Sequence, residues 1–250
     1  MRTLPLLALL VLAPALAAQS AAPVPATPAA PPPLKRVEFT GDLSYVSTGG
    51  NTQVTTTGAG DKLVLRASRR WSFTQYAGVI YGRNDGTVNA ESYRAGLRTD
   101  YSFSNKTGAY ALVAFDRDRF SGVAARYQYS AGLAAKPWDT ADNSLKVEAG
   151  TARINQRATD DRITRTFSGR TAGVYRHNFG TKTYFEQGAE VLVNFRETDD
   201  TQLNSLSTLV APISAHIGLK TAYTVKFDNQ PSPGFRKTDT TLTTGLQVTF

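Results

Sequence analysis

The sequence predicts an all-β protein, namely a transmembrane antiparallel β-barrel of about twelve strands connected as a meander. Two observations carry this prediction. Apolar and polar residues alternate along run after run of the chain, and the last run ends on an aromatic residue. The residues on one face of this last run are Leu242, Thr244, Leu246, Val248 and Phe250. In a soluble domain such an unpaired apolar edge strand promotes aggregation, whereas in a membrane barrel it pairs with another strand and closes the wall.

The alternation has a period of two residues and is clearest in residues 217–227, where Ile217, Tyr223 and Phe227 belong to the apolar row. Counting such runs between turn signals gives about twelve strands, plus or minus about two, each long enough for a tilted span of about 9 to 11 residues. Two runs are poorly phased. They are residues 203–212 and residues 52–67. In residues 52–67 the alternation breaks at Asp61, which falls on the apolar row. In a further predicted strand Leu192 interrupts the polar row.

The barrel is predicted to occupy residues 37–250, after two other segments. Residues 1–17 combine a positive start, an apolar core and a small-x-small site at 15–17, which together predict a signal peptide. Residues 18–36 are rich in alanine and proline and predict an extended linker. It is either a spacer without a binding role or a tether to a periplasmic component. No later stretch approaches the 18 consecutive apolar residues typical of a transmembrane helix.

Composition excludes several functional classes. Charged residues make up 19% and hydrophobic residues 41% of the chain, which is too apolar for a disordered protein. The absence of cysteine excludes disulfides, thiol catalysis and metal sites built on cysteine. The net charge of +8 comes from scattered basic residues, so no nucleic-acid partner is predicted.

Connections and aromatic residues also favour a membrane barrel. If the N-terminus is periplasmic, the odd-numbered connections face outward, and these are longer and more polar, apart from an even-numbered connection at 137–143. Aromatic residues gather near strand ends, as they do at membrane interfaces. They are Trp71, Phe73, Tyr101, Phe103, Trp138, Phe179, Tyr184 and Phe250.

Charged residues on the polar rows are predicted to line the lumen, because each would cost several kcal/mol in lipid. One interpretation is a basic excess that favours anions in a narrow pore. The other, which we favour, is that the charges pair across the lumen and make the wall rigid. The lumen-lining residues are Asp42, Arg94, Arg98, Asp100, Arg126, Lys146, Glu148, Arg170, Arg176, Glu186, Glu190, Lys220 and Lys226.

A second set of charges, Asp116, Arg117, Asp118 and Arg119, lies at an outward strand end. It is predicted to be a ladder of salt bridges at the level of solvent or lipopolysaccharide; a ligand or partner site is the alternative. No catalytic residues, metal ligands or cofactors are predicted. His177 and His216 are interpreted as interfacial or lumenal, since no sequence pattern places either beside a serine.

Four segments form a recognisable pattern: residues 39–45 followed by 50–52, residues 115–122, residues 129–133 and residues 145–150. In these segments the chain resembles a bacterial family of unknown function that includes proteins described as salt-induced outer-membrane proteins. The resemblance covers nearly all of residues 37–250. The chain departs from the family pattern at Ala134-Ala135 and in the linker. The resemblance implies an outer-membrane barrel and supplies no substrate or catalytic residue.

The predicted function is therefore that of a non-enzymatic outer-membrane barrel of structural or narrow-pore type, with a link to salt or osmotic stress implied by the resemblance. The alternatives are a small anion-selective channel, a barrel lipid hydrolase and a soluble periplasmic binder. Expected partners are outer-membrane lipids and, during biogenesis, the barrel-assembly machinery, with the protein itself a monomer. Leu246, Val248 and Phe250 would form the C-terminal signal for assembly, as the resemblance implies.

Overall fold

The computed structural model describes residues 36–49, 55–84, 87–180 and 182–250, which form a closed barrel of antiparallel strands in meander order. The predicted fold class is confirmed. Within these residues the twelve strands are β1 (Val37–Gly49), β2 (Thr55–Arg66), β3 (Trp71–Asn84), β4 (Thr87–Ser102), β5 (Thr107–Asp118), β6 (Val123–Asp139), β7 (Asn143–Ala158), β8 (Ile163–Asn178), β9 (Tyr184–Asn194), β10 (Thr201–Pro212), β11 (Ile217–Asp228) and β12 (Thr238–Thr249). The predicted signal peptide and, apart from Arg36, the predicted linker lie outside the described residues.

The barrel closes where the last strand pairs with the first. The Phe250 N–H donates to the Phe39 carbonyl at 2.9 Å, and the Phe39 N–H donates back at 3.2 Å. From there the pairing of β1 with β12 runs up to Gly49 opposite Thr240. Gly245 is required in this seam, because a Cβ there would lie 2.6 Å from the Ser44 Cα. The predicted use of the last strand to close the wall is confirmed, and its partner is the first strand.

Strand pleating sends alternate side chains to the outside and to the lumen. The outward rows are apolar and exposed, with Leu43 at 68% and Leu97 at 64% of full exposure. The buried inward rows include charged and polar side chains such as Glu148, Arg170 and Gln128. This arrangement is the reverse of a soluble barrel, where apolar residues fill the interior.

The poorly phased strands have structural explanations. In β10 the serines Ser205 and Ser207 face outward and bond to the Gln187 side chain of β9, so these polar groups satisfy one another on an apolar surface. In β2, Asp61 faces outward between Gly41 and Ala77. Leu192, which interrupts the polar row of β9, packs inside the wall against Ala152 and Ile154.

The two ends of the barrel differ. We call the end that carries Val37 and Phe250 the terminal end, and the opposite end the loop end. The longest fully described connections, residues 195–200 and 229–237, lie at the loop end. The connection predicted at 137–143 is shorter than expected because β6 continues to Asp139 through an irregularity after Ala135. Within the described residues no helix is long and apolar enough to span a membrane.

Candidate functional site in the lumen

The centre of the lumen is built on a row of four residues that lie opposite one another on β5 to β8: Tyr110, Gly132, Gly150 and Arg170. The two glycines face each other so closely that a Cβ on either would lie 2.7 Å from the Cα of the other. Because glycine has no side chain, the wall between Tyr110 and Arg170 is bare on its lumenal side. We call Gly132 and Gly150 the glycine floor. Across it the Arg170 Nη1 donates to the Tyr110 hydroxyl at 2.8 Å.

Six charged side chains meet around this floor and form what we call the lumenal charge network: Arg98, Asp100, Lys146, Glu148, Arg170 and Glu190. Glu148 is its centre. Its carboxylate lies 2.6 Å from Arg98, 3.1 Å from Lys146 and 2.8 Å from Arg170. The Glu148 side chain is only 8% exposed, so it is withdrawn from solvent among three cations.

The other two carboxylates complete the network. Asp100 accepts two bonds from Arg98, at 2.6 and 2.8 Å, and one from Lys146 at 3.0 Å. Glu190 pairs with Arg170 at 2.5 Å and also accepts from Gln128 of β6 and Asn204 of β10. Three cations and three carboxylates therefore neutralise one another, and with their polar partners they connect all strands from β4 to β10.

The ring of Tyr110 supports two of the guanidinium groups. The guanidinium carbon of Arg98 lies 4.6 Å and that of Arg170 lies 5.1 Å from the ring centroid. Such contacts stabilise a cation against an aromatic face. Tyr110 was not among the predicted lumenal residues, although its even spacing from Asp116 along β5 places it on the lumenal row.

A second set of polar contacts lies on the β8–β12 side of the lumen. Lys220 pairs with Asp42 at 2.7 Å, and Asp42 also accepts from Gln247 at 3.4 Å. The Arg176 guanidinium stacks over the Tyr184 ring at 3.6 Å and lies 3.6 Å from the Glu186 carboxylate. These ion pairs bring together further members of the predicted lumenal set.

A cavity of about 160 Å³ occupies the part of the lumen beside β1 to β5 and β10 to β12. Small residues such as Gly60, Gly78 and Ala222 form much of its wall. Arg94 lies over Gly78 and has no ion pair within the described part of the chain. The charged side chains of the lining are four carboxylates and three cations: Asp42, Asp116, Asp118, Asp239, Arg94, Lys220 and Lys226. Glu91 also borders the cavity, but its carboxylate pairs with Arg117 and Arg119.

The connection between β11 and β12 crosses the mouth of the barrel at the loop end. The Phe235 ring packs against Gly122, which follows β5 on the opposite side of the barrel; a Cβ on Gly122 would lie 2.9 Å from the ring. Gly122 has a φ of 79°, a left-handed conformation that favours glycine. Asn229 fastens the same connection to β10 through a 3.0 Å bond to the Thr201 carbonyl. This crossing was not predicted, because sequence alternation carries no information about loops.

The charges predicted as one cluster at 116–119 are divided between the two faces of the wall, and Asp118 lies 3.9 Å from Lys226 on the lumenal side. Asp116 and Asp118 line the lumenal cavity, whereas Arg117 and Arg119 bind Glu91 of β4 at 3.0 and 3.1 Å. Asp118 also accepts from the Ser121 N–H at the start of a short 3-10 helix, Arg119–Ser121. Adjacent strand residues point to opposite faces, so four consecutive charges cannot share one surface.

The two histidines lie at the terminal end. The His177 Nδ1 is 2.8 Å from the Asn143 Oδ1, and the His216 Nδ1 is 3.1 Å from the Thr249 carbonyl. Neither ring is bonded to a serine among the described residues. The part of the chain that the structure describes also holds no group of three or more acidic or histidine side chains that could bind a metal.

Comparison with solved structures agrees with this fold. The NanC porin superposes with a TM-score of 0.56 at 10% identity, over 83% of this chain and 98% of the porin. An outer membrane channel of Pseudomonas putida F1 superposes with a TM-score of 0.51 at 10% identity, over 86% of this chain and 94% of the channel. At this identity the likeness concerns the fold alone, which is that of outer-membrane barrels.

Sequence comparison identifies one relative and a family. The chain is 26% identical over 220 residues to the uncharacterized protein YdiY of Escherichia coli K12, covering 84% of this chain and 83% of YdiY. The family model described as "Protein of unknown function, DUF481" matches residues 41–250. This match confirms the resemblance to a family of unknown function, and the chain belongs to the DUF481 family.

Proposed function

We propose that this protein is a bacterial outer-membrane barrel with a narrow pore that is braced by paired charges, and that it has no enzymatic activity. The lumenal charge network carries the proposal. In it Glu148 binds Arg98, Lys146 and Arg170, and the network links the wall from β4 to β10. A wide pore would leave such charges hydrated and apart, whereas here they cross the lumen and restrict it to the cavity beside them.

Conductance in planar lipid bilayers tests the pore. We expect the full-length mature protein to show small conductance steps with weak ion preference. The double variant Glu148→Gln/Arg170→Gln removes the centre of the brace and should conduct several-fold more. The matched control is Lys106→Gln, in an exposed turn at the terminal end. Large steps in the unaltered protein, unchanged by the double variant, would overturn the proposal.

An anion-selective channel is the second candidate, because Arg94 faces the cavity without an ion-pair partner in the described residues. The cavity lining, however, carries four carboxylates and three cations besides the paired Glu91, so its formal charge does not favour anions. Reversal potentials in a salt gradient distinguish the two functions. An anion preference that is lost after charge reversal at Arg94, Arg98 and Lys220 would favour the anion channel.

The outer membrane is the proposed location, and its lipids are the proposed surroundings of the outward apolar rows. The exposed Leu43, Leu97 and Leu133 support this, because a monomer in water would not expose such rows on neighbouring strands. Cell fractionation tests it together with heat-modifiable migration on a denaturing gel. Recovery of the mature protein as a soluble periplasmic protein would contradict it. Recognition of the C-terminal strand by the assembly machinery and the link to salt stress stay predictions.

A further inference from the structure

Three exposed arginines lie together on the outward face of β7 and β8, near the loop end. Arg153 and Arg157 flank Asn155 on β7, and Arg165 lies directly opposite Asn155 on β8. Facing residues on paired strands are about 5 Å apart at Cβ, and residues two apart on a strand are about 7 Å apart. Three flexible guanidinium groups can therefore reach one small anion. We call Arg153, Arg157 and Arg165 the outer arginine patch.

The patch shares its face with the apolar outer surface of the barrel. Arg153 is paired with Tyr129 on one side and with Phe167 on the other, and Phe167 is 53% exposed. The intervening residues Ala152 and Ile154 are buried on the lumenal face. The arginines thus lie just above an aromatic layer, at the level where a membrane has its headgroups.

The protein does not neutralise these cations itself. Within the described residues no ion pair involves any of the three arginines. Arg165 does not even donate to the facing amide, because the Asn155 Oδ1 is buried without a hydrogen-bond partner. The outward rows of β6 to β8 carry no carboxylate, and the nearby acids, Asp160 and Asp161, belong to the turn beyond the strands.

We infer that the outer arginine patch binds the phosphate groups of an anionic lipid in the leaflet around the loop end of the barrel. This inference rests on the proposed outer-membrane location. Guanidinium groups bind phosphate through paired, charge-assisted hydrogen bonds, which suits a phosphate held among three of them. The acyl chains of the same lipid would lie on Tyr129 and Phe167 below. A free phosphate would lack this second contact.

The test measures binding of a defined lipid to the purified full-length mature protein in detergent. The probes are lipid A with two phosphate groups, lipid A with one phosphate group, and inorganic phosphate. The variant is Arg153→Gln/Arg157→Gln/Arg165→Gln. The matched control is Arg69→Gln/Arg70→Gln/Lys106→Gln, which removes three exposed cations at the terminal end. Heat-modifiable migration shows that each variant is folded.

We expect the patch variant to bind diphosphorylated lipid A at least about tenfold more weakly, while the control binds as the unaltered protein does. Lipid A with one phosphate group should still bind the unaltered protein more tightly than it binds the patch variant, because one phosphate group is enough to occupy the three arginines. Equal binding by the patch variant would overturn the inference. If inorganic phosphate displaces the lipid when both have the same concentration, the patch binds free phosphate and the lipid is not its ligand. Absence of the unaltered protein from outer-membrane fractions would instead refute the proposed location.

Discussion

The Tyr110 hydroxyl accepts a 2.8 Å hydrogen bond from the Arg170 Nη1, although two further strands separate β5 from β8. Three strand spacings place the two backbones about 14 Å apart. The side chains can meet only because Gly132 and Gly150 leave the wall between them bare. The brace across the lumen thus depends on two residues that carry no charge.

Filling this glycine floor should destabilise the barrel. Gly150→Ala would place a Cβ 2.7 Å from the Gly132 Cα, so β6 and β7 must move apart. We expect the free energy of unfolding in detergent to fall by about 1 to 3 kcal/mol, the usual cost of overpacking. Gly188→Ala is the control, because its new Cβ would find only the Leu206 carbonyl at 3.8 Å. Equal stability of the two variants would contradict the role of the floor.

Neutralising Glu148 should lower the free energy of unfolding more than neutralising a glutamate at the rim of the barrel does. Glu148→Gln leaves Arg98, Lys146 and Arg170 without their shared carboxylate, and loss of one partner from a buried ion pair costs about 3 to 5 kcal/mol.

The control for this prediction is Glu38→Gln. Glu38 is paired with Arg66 at 3.2 Å, but its side chain is 39% exposed, so its loss should cost less than about 1 kcal/mol. Urea denaturation of both variants in the same detergent measures the difference. A smaller loss for Glu148→Gln than for Glu38→Gln would mean that the network does not brace the wall.

Removing a carboxylate from the outward surface should stabilise the protein. Asp61 faces outward between Gly41 and Ala77 and has no ion pair within the described residues. An ionised side chain on the lipid face costs free energy, so Asp61→Leu should raise the free energy of unfolding by about 1 kcal/mol. Asp42→Leu is the opposite control, since it deprives Lys220 of its partner and should lower thermal stability. If Asp61→Leu also lowers the stability of the protein, Asp61 does not lie in lipid.

The connection across the mouth should loosen when its aromatic contact is removed. Phe235→Ala takes away the ring that packs on Gly122, so residues 229–237 should become accessible to protease on intact cells. Pro233→Ala lies in the same connection but at an exposed position and should leave cleavage unchanged. Equal protection of the Phe235→Ala variant would show that the bonds from Asn229 and Gln230 to residues 197–201 hold the connection without the ring.

The alternating pattern was sufficient to predict the strands and the seam of the barrel, because a two-residue period assigns each side chain to one of two faces. The same logic placed Arg98, Glu148 and Glu190 on the lumenal row. The prediction for residues 116–119 treated the four charges as one block, whereas adjacent residues of β5 point to opposite faces. Asp116 and Asp118 accordingly line the cavity.

Other features depend on register, which alternation does not encode. Gly132 and Gly150 become a floor only because the pairing of β6 with β7 places them opposite each other. Likewise, Leu192 interrupts a polar row in the sequence, yet it meets Ala152 and Ile154 inside the wall. The contact of Phe235 with Gly122 joins distant connections, for which the sequence has no periodic signal.

The composition of the lumenal charge network also has a consequence for the order in which the barrel forms. Glu148, Arg170 and Glu190 belong to three consecutive strands, β7 to β9, so they meet as soon as these neighbouring hairpins pair. Arg98 belongs to β4 and precedes Glu148 by 50 positions in the chain. A segment that contains only β7 to β9 therefore already holds both carboxylate partners of Arg170, whereas the bond from Glu148 to Arg98 also fixes the position of β4 across the lumen.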